Sequence, residues 1–197
     1  IMRETATILL ILFSLTSIAT EQTPDRLIYQ SDTIFIDTYP LEKLIKKDST
    51  IHNKIFEYSD TVCMSSGCWR GYVGTWKIIN DSLFLVDLKN GCENYQFDLS
   101  EVFNAKNVNN GKIFADWYTG EINAEFGEFL KFDFENWTNI YTKSFNCNII
   151  NGKVNNLIVK EKSDCEIASI RAKKDFEDSK YSFHSQEILP VENIYTY

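Results

Sequence analysis

The sequence predicts a mainly β fold: a single antiparallel sandwich or open barrel of about seven to nine strands, with one short helix near residues 40–47. Three observations carry this. Apolar and polar residues alternate at period two in several short runs. Asparagine-rich turns separate the runs. Asn151-Gly152 is the sharpest of them, because both central residues of a two-residue hairpin turn need positive φ. Finally, 44% hydrophobic and 14% aromatic residues suffice to fill a core, which excludes wholesale disorder.

The elements follow in chain order. Ala6 to Leu15 is nearly all apolar, Arg3 precedes it, and the small residues Ser17 and Ala19 sit two apart. This is the pattern of a secretory signal over residues 1–19, which leaves 20–197 as a single β-rich domain. The apolar run is shorter than the about 20 residues of a stable spanning helix. The expectation is therefore a periplasmic or secreted protein with no stable membrane anchor. Arg26 to Tyr29 and Thr33 to Asp37 form two short strands around a polar turn. Pro40 suits a first helical position, Leu41, Leu44 and Ile45 share one face, and Lys46 and Lys47 suit the last turn.

Tyr72, Gly74, Trp76 and Ile78 fall on one face of the next strand, and Asn80-Asp81-Ser82 is the turn that follows. The returning run, Leu83 to Leu88, is largely apolar on both faces, which places this pair centrally in the domain. Further strands are expected at 112–118, 121–122, 129–134, 140–150 and 154–160, with a turn at Glu125-Phe126-Gly127-Glu128. Ile167 to Lys180 is either a charged helix or an irregular edge.

The formal charge of −8 disfavours a nucleic-acid partner, since duplex binders carry a basic face. It suits a basic partner or simply solubility. Five cysteines, Cys63, Cys68, Cys92, Cys147 and Cys165, leave at least one unpaired. Cys63 and Cys68 are candidates for a local disulfide, with buried thiols as the alternative. The two histidines, His52 and His184, lie in no metal-binding spacing, and neither a nucleophile elbow nor a phosphate loop is present. No catalytic residue, metal or cofactor is assigned.

Two resemblances extend this reading. The blocks Cys68-Trp69-Arg70-Gly71-Tyr72-Val73-Gly74-Thr75-Trp76-Lys77-Ile78, Leu83-Phe84-Leu85 and Phe114-Ala115-Asp116-Trp117-Tyr118-Thr119-Gly120-Glu121-Ile122 resemble an uncharacterised family of small bacterial β-rich proteins. That family shows W-R-G-Y…W-x-I…L-Y-L and F-A-D-W-[FY]-[ST]-G-E blocks. The resemblance covers most of residues 26–160 and implies a shared β-rich fold but no mechanism. The triplet Gly74-Thr75-Trp76 also resembles the lipocalin G-x-W. It implies a carrier of a small apolar ligand, with Trp76 and Phe132 ringing a cavity of about 300 Å³ or more.

Within the shared blocks, Arg70 and Asp116 are polar residues among Trp69, Tyr72, Trp117 and Tyr118, with Glu121 as an alternative partner for Arg70. A guanidinium held by a carboxylate over aromatic rings would recognise an anion or a peptide; the same cluster would equally serve as a structural ion pair. The leading expectation is an exported, non-catalytic binding protein with an unknown protein partner, in one version immunity- or inhibitor-like. An apolar-ligand carrier is the alternative, and a hydrolase built on two carboxylates is third.

Overall fold

The computed structural model describes residues 22–57 and 63–186, so the signal expected over 1–19 lies outside the described residues. Strands β1 (Asp25–Tyr29) and β2 (Asp32–Ile36) form a tight antiparallel hairpin turned by Gln30 at φ 53°. Period-two alternation sends Leu27, Ile34 and Ile36 inward and leaves Phe35 exposed. Helix α1 (Pro40–Ile45) starts on Pro40 and buries Leu41.

A second helix, α2 (Ser49–Glu57), follows where no helix was expected. Asp48 caps it by accepting from the Thr50 amide at 3.0 Å. Ile51 and Ile55, one turn apart, pin it to the core.

Strands β3 (Tyr72–Ile78) and β4 (Leu83–Asn90) are the central pair, as expected, joined by Asn80 and Asp81 at φ 47° and 53°. A short helix α3 (Leu99–Val102), a 3-10 turn (Ala105–Asn107) and the small strands β5 (Val108–Asn109) and β6 (Lys112–Phe114) lead to a long hairpin. Its arms are β7 (Gly120–Asp133) and β8 (Thr138–Ile150), and β9 (Lys153–Glu161) returns across Asn151 and Gly152 at φ 48° and 75°.

Helix α4 (Asp164–Gln186) closes the described chain. It resolves the helix-or-edge alternative through a capping box: the Ser163 hydroxyl accepts from the Glu166 amide at 3.3 Å, and Glu166 accepts from the Ser163 amide at 2.8 Å. Among the described residues no helix is long and apolar enough to cross a membrane.

Among the described residues the strands form two sheets, one ordered β2-β1-β3-β4-β6-β5 and the other β7-β8-β9, with no closed barrel. The core lies between them. Leu27, Trp76, Leu85 and Leu88 from the first sheet meet Ile122, Phe126, Phe145 and Ile149 from the second. The Tyr29 and Phe145 rings cross the gap edge-on at 5.2 Å. One seam is closed where Val154 N donates to Asp81 O (3.0 Å) and Leu83 N to Gly152 O (2.8 Å).

Four expectations are corrected. The strand expected over 112–118 ends at Phe114, and a turn at Asp116 and Trp117 precedes β7. The sheet is not wholly antiparallel: β1 runs parallel to β3, with Leu27 opposite Trp76. The segment 125–128 is not a turn; β7 runs through it on a bulge at Gly127. There φ is +90°, and a Cβ would come within 2.5 Å of Thr142 Oγ1, so only glycine fits. The disulfide joins Cys63 to Cys92, not to Cys68, with Cα atoms 5.5 Å apart. Cys68 is a buried free thiol donating to Tyr72 O at 3.4 Å. Gly91 admits this arrangement, since a Cβ there would sit 2.3 Å from Cys63 O.

The Cys63–Cys92 bond closes a 29-residue separation, a loop worth about 3–4 kcal/mol on the chain-entropy relation. Dithiothreitol is expected to lower the unfolding free energy by about 3 kcal/mol in urea titrations. An unchanged midpoint under reduction would contradict the pairing.

Candidate functional site

The sequence-derived cluster around Arg70 divides in the structure. Arg70 does not meet Asp116 or Glu121. Its guanidinium donates to Asp25 Oδ1 at 3.0 Å and to Thr23 O at 2.7 Å. The two side chains are 8% and 0% exposed. The guanidinium stacks 4.0 Å over the Tyr39 ring and 5.4 Å from the Tyr72 ring.

Asp25 also accepts from Gly74 N (3.0 Å) and Trp76 Nε1 (2.9 Å). Burial pushes its carboxyl above the usual carboxylate range, while the Arg70 charge and these donors pull it back. The buried Tyr72 hydroxyl donates to Glu42 Oε1 at 2.7 Å, and burial with that carboxylate raises its pKa. Arg70 and Tyr72 therefore belong to a buried polar knot that ties β1 to β3. The same knot explains the G-x-W: a Cβ on Gly74 would lie 3.0 Å from both Asp25 Oδ2 and Trp76 Nε1.

The other candidates lie elsewhere. Trp69 is exposed, and its amide donates to Gln22 Oε1 at 3.2 Å. Tyr118 is buried; its hydroxyl donates to Glu121 O at 3.0 Å, and burial pushes its pKa up to about 12. The Glu121 side chain is exposed. Trp117 Nε1 donates to Pro40 O at 3.0 Å. Trp117 and the exposed Asp116 line an open cleft of about 470 Å³, between α1–α2 and the segment 102–114. Its floor includes Ile51, Val102 and Ile113, and its rim Asp48, Lys54 and Asn107. Trp76 lines neither this cleft nor the groove that holds Phe132: it is fully buried, with its indole bonded to Asp25.

A larger groove, about 780 Å³, runs between β2 and the β7–β8 hairpin. Phe35, Phe132, Trp137 and Tyr141 line it together with Asp37 and Glu125. Around it stand large exposed aromatics: Phe35 is 58% exposed, Phe129 47%, Phe134 67% and Trp137 75%. Phe134 and Trp137 are held by ring contacts. Phe132 meets Phe134 edge-on at 4.9 Å and Trp137 at 5.9 Å. Asp133 holds the turn between the arms, accepting from the Glu135 amide at 2.9 Å and from Asn136 Nδ2 at 2.8 Å. Those bonds lower its pKa.

Of these residues the sequence singles out only Phe132 as a ligand-facing position. The available signal was four aromatics between 129 and 137, grouped around a polar turn, where a hairpin tip has no core to fill.

Among the described residues, no group of three or more His, Cys, Asp and Glu side chains is placed to hold a metal ion. Comparison with protein-family models, with curated proteins and with solved structures yields no match. The fold and this groove define the class of molecule: a two-sheet β domain with a preformed aromatic surface.

The knot yields a stability prediction. Asp25→Asn leaves the Arg70 charge buried and uncompensated, and urea unfolding is expected to show a loss of about 3–5 kcal/mol. Tyr72→Phe removes one hydrogen bond and keeps the ring beside Arg70, and should cost only about 1 kcal/mol. Equal losses in the two variants would contradict this assignment.

Proposed function

We propose that the protein is an exported, non-catalytic interaction module that docks a partner protein through the groove between β2 and the β7–β8 hairpin. The carrying observation is the grouping of exposed aromatics there. Large rigid rings held in water are unfavourable unless something covers them, and aromatic residues are enriched at protein interfaces. The side chains of Phe129, Phe134 and Trp137 are already restrained by edge-on contacts, so docking orders little of them that is not ordered beforehand.

Export is supported by the Cys63–Cys92 disulfide, which suits an oxidising compartment, and by the signal-like residues 1–19. The acidic balance of −8 favours fast association with a basic partner, as in an inhibitor or immunity protein.

The test is capture of partners from the exported fraction of the source cell. Trp137→Ala and Phe134→Ala should each weaken capture of a given partner by about 30-fold, the scale of an interface hot spot. Thermal unfolding should not change, and Ile158→Ala on exposed β9 should leave capture intact. Binding that survives both aromatic substitutions would defeat the proposal.

A further inference from the structure

The chemistry of the groove narrows what it accepts. Resting on the docking reading above, we infer that the segment seated in the groove carries arginine, with its guanidinium held by Asp37 against the aromatic wall. Among the described residues, the charged side chains lining the groove are Asp37 and Glu125, with Lys162 reaching Glu125 from beside it. The remaining polar lining is neutral: Asn123, Asn139, Asn146 and serine or threonine hydroxyls.

The two carboxylates are not equivalent. Glu125 receives Lys162 Nζ at 3.1 Å, and the same ammonium donates to Tyr141 O at 2.7 Å. This wall therefore already seats one cation of the chain's own. Asp37 follows directly on β2, its side chain is exposed, and among the described residues no ion pair engages it. It is the carboxylate left for a visitor.

The rings beside it present negative faces, which attract a cation. Arginine suits the place better than lysine, because its plane stacks on a ring while its edge pairs with a carboxylate. The chain provides an internal example: Arg70 lies 4.0 Å over Tyr39 while bonded to Asp25. An acidic segment would meet Asp37 and the net charge of −8 without compensation.

Three labelled peptides of equal length test this: acetyl-GRGYGRG-amide and its counterparts with glutamine or glutamate replacing arginine. Fluorescence anisotropy reads affinity, and amide chemical shifts locate the site. The arginine peptide should bind with shifts at Phe35, Asp37 and Trp137. Asp37→Asn should weaken it about tenfold, Asp37→Glu should restore it, and the glutamine and glutamate peptides should bind at least tenfold less tightly. Equal binding of the glutamine peptide in the groove overturns the arginine inference and leaves aromatic docking standing. Arginine-peptide binding that ignores both Asp37→Asn and Trp137→Ala also overturns it, as diffuse attraction to an acidic surface. If no peptide binds, the inference fails; the captured partner's sensitivity to Trp137→Ala then decides the docking reading separately.

Discussion

A buried carboxylate organises this molecule. Asp25 opens the first described strand, yet its oxygens receive the Arg70 guanidinium, the Gly74 amide and the Trp76 indole. An isolated charge in that position would cost several kcal/mol, so its donors must all be in place at once. Meeting that demand fixes the register of β1 against β3, with Arg26 opposite Thr75 and Leu27 opposite Trp76. It also dictates glycine at position 74 and holds the guanidinium over Tyr39. The chain passes from β1 to β3 by way of β2, α1 and α2, because a parallel pair cannot be joined by a hairpin.

From that anchor the functional surface follows by packing. β1 carries β2 as an antiparallel neighbour, and β2 is the outer strand of its sheet. The β7–β8 hairpin lies along that side, giving the groove walls from both sheets. The inner half of the hairpin fills the core through Ile122, Phe126, Phe145 and Ile149. Past the Gly127 bulge only Leu130 among its apolar side chains stays buried, and the hairpin's aromatics stand in solvent at Phe129, Phe134 and Trp137. One element thus has a structural half and a surface half, divided by a glycine that no other residue could replace without strain.

What sequence revealed and what it hid divide along the range of the interaction. Local chemistry was legible. Asn151-Gly152, the Asn80-Asp81 turn and Pro40 each specify their own backbone, and the structure places a hairpin turn or a helix start at each. The α2 helix was legible in principle from the Asp48 cap and the Ile51/Ile55 spacing, as was the Ser163–Glu166 box before α4. Long-range pairing was not legible. Arg70 finds its carboxylate 45 residues upstream, and Cys63 its partner 29 residues downstream. Nothing in local spacing separates Asp25 from Asp116, or Cys92 from Cys68. Gly127 illustrates the intermediate case, since a lone strand glycine signals a turn and a bulge equally well until its partner strand is known. The groove was hidden for the same reason: Phe35 and Trp137 come to line one groove only after the sheets pack.

The most direct measurement is hydrogen–deuterium exchange of the protein with and without a captured partner. The account predicts new protection confined to residues 33–37 and 129–141, with the amides of β1 and β3 unaltered. Protection concentrated instead at 48–54 and 102–117, around the smaller cleft, would contradict it.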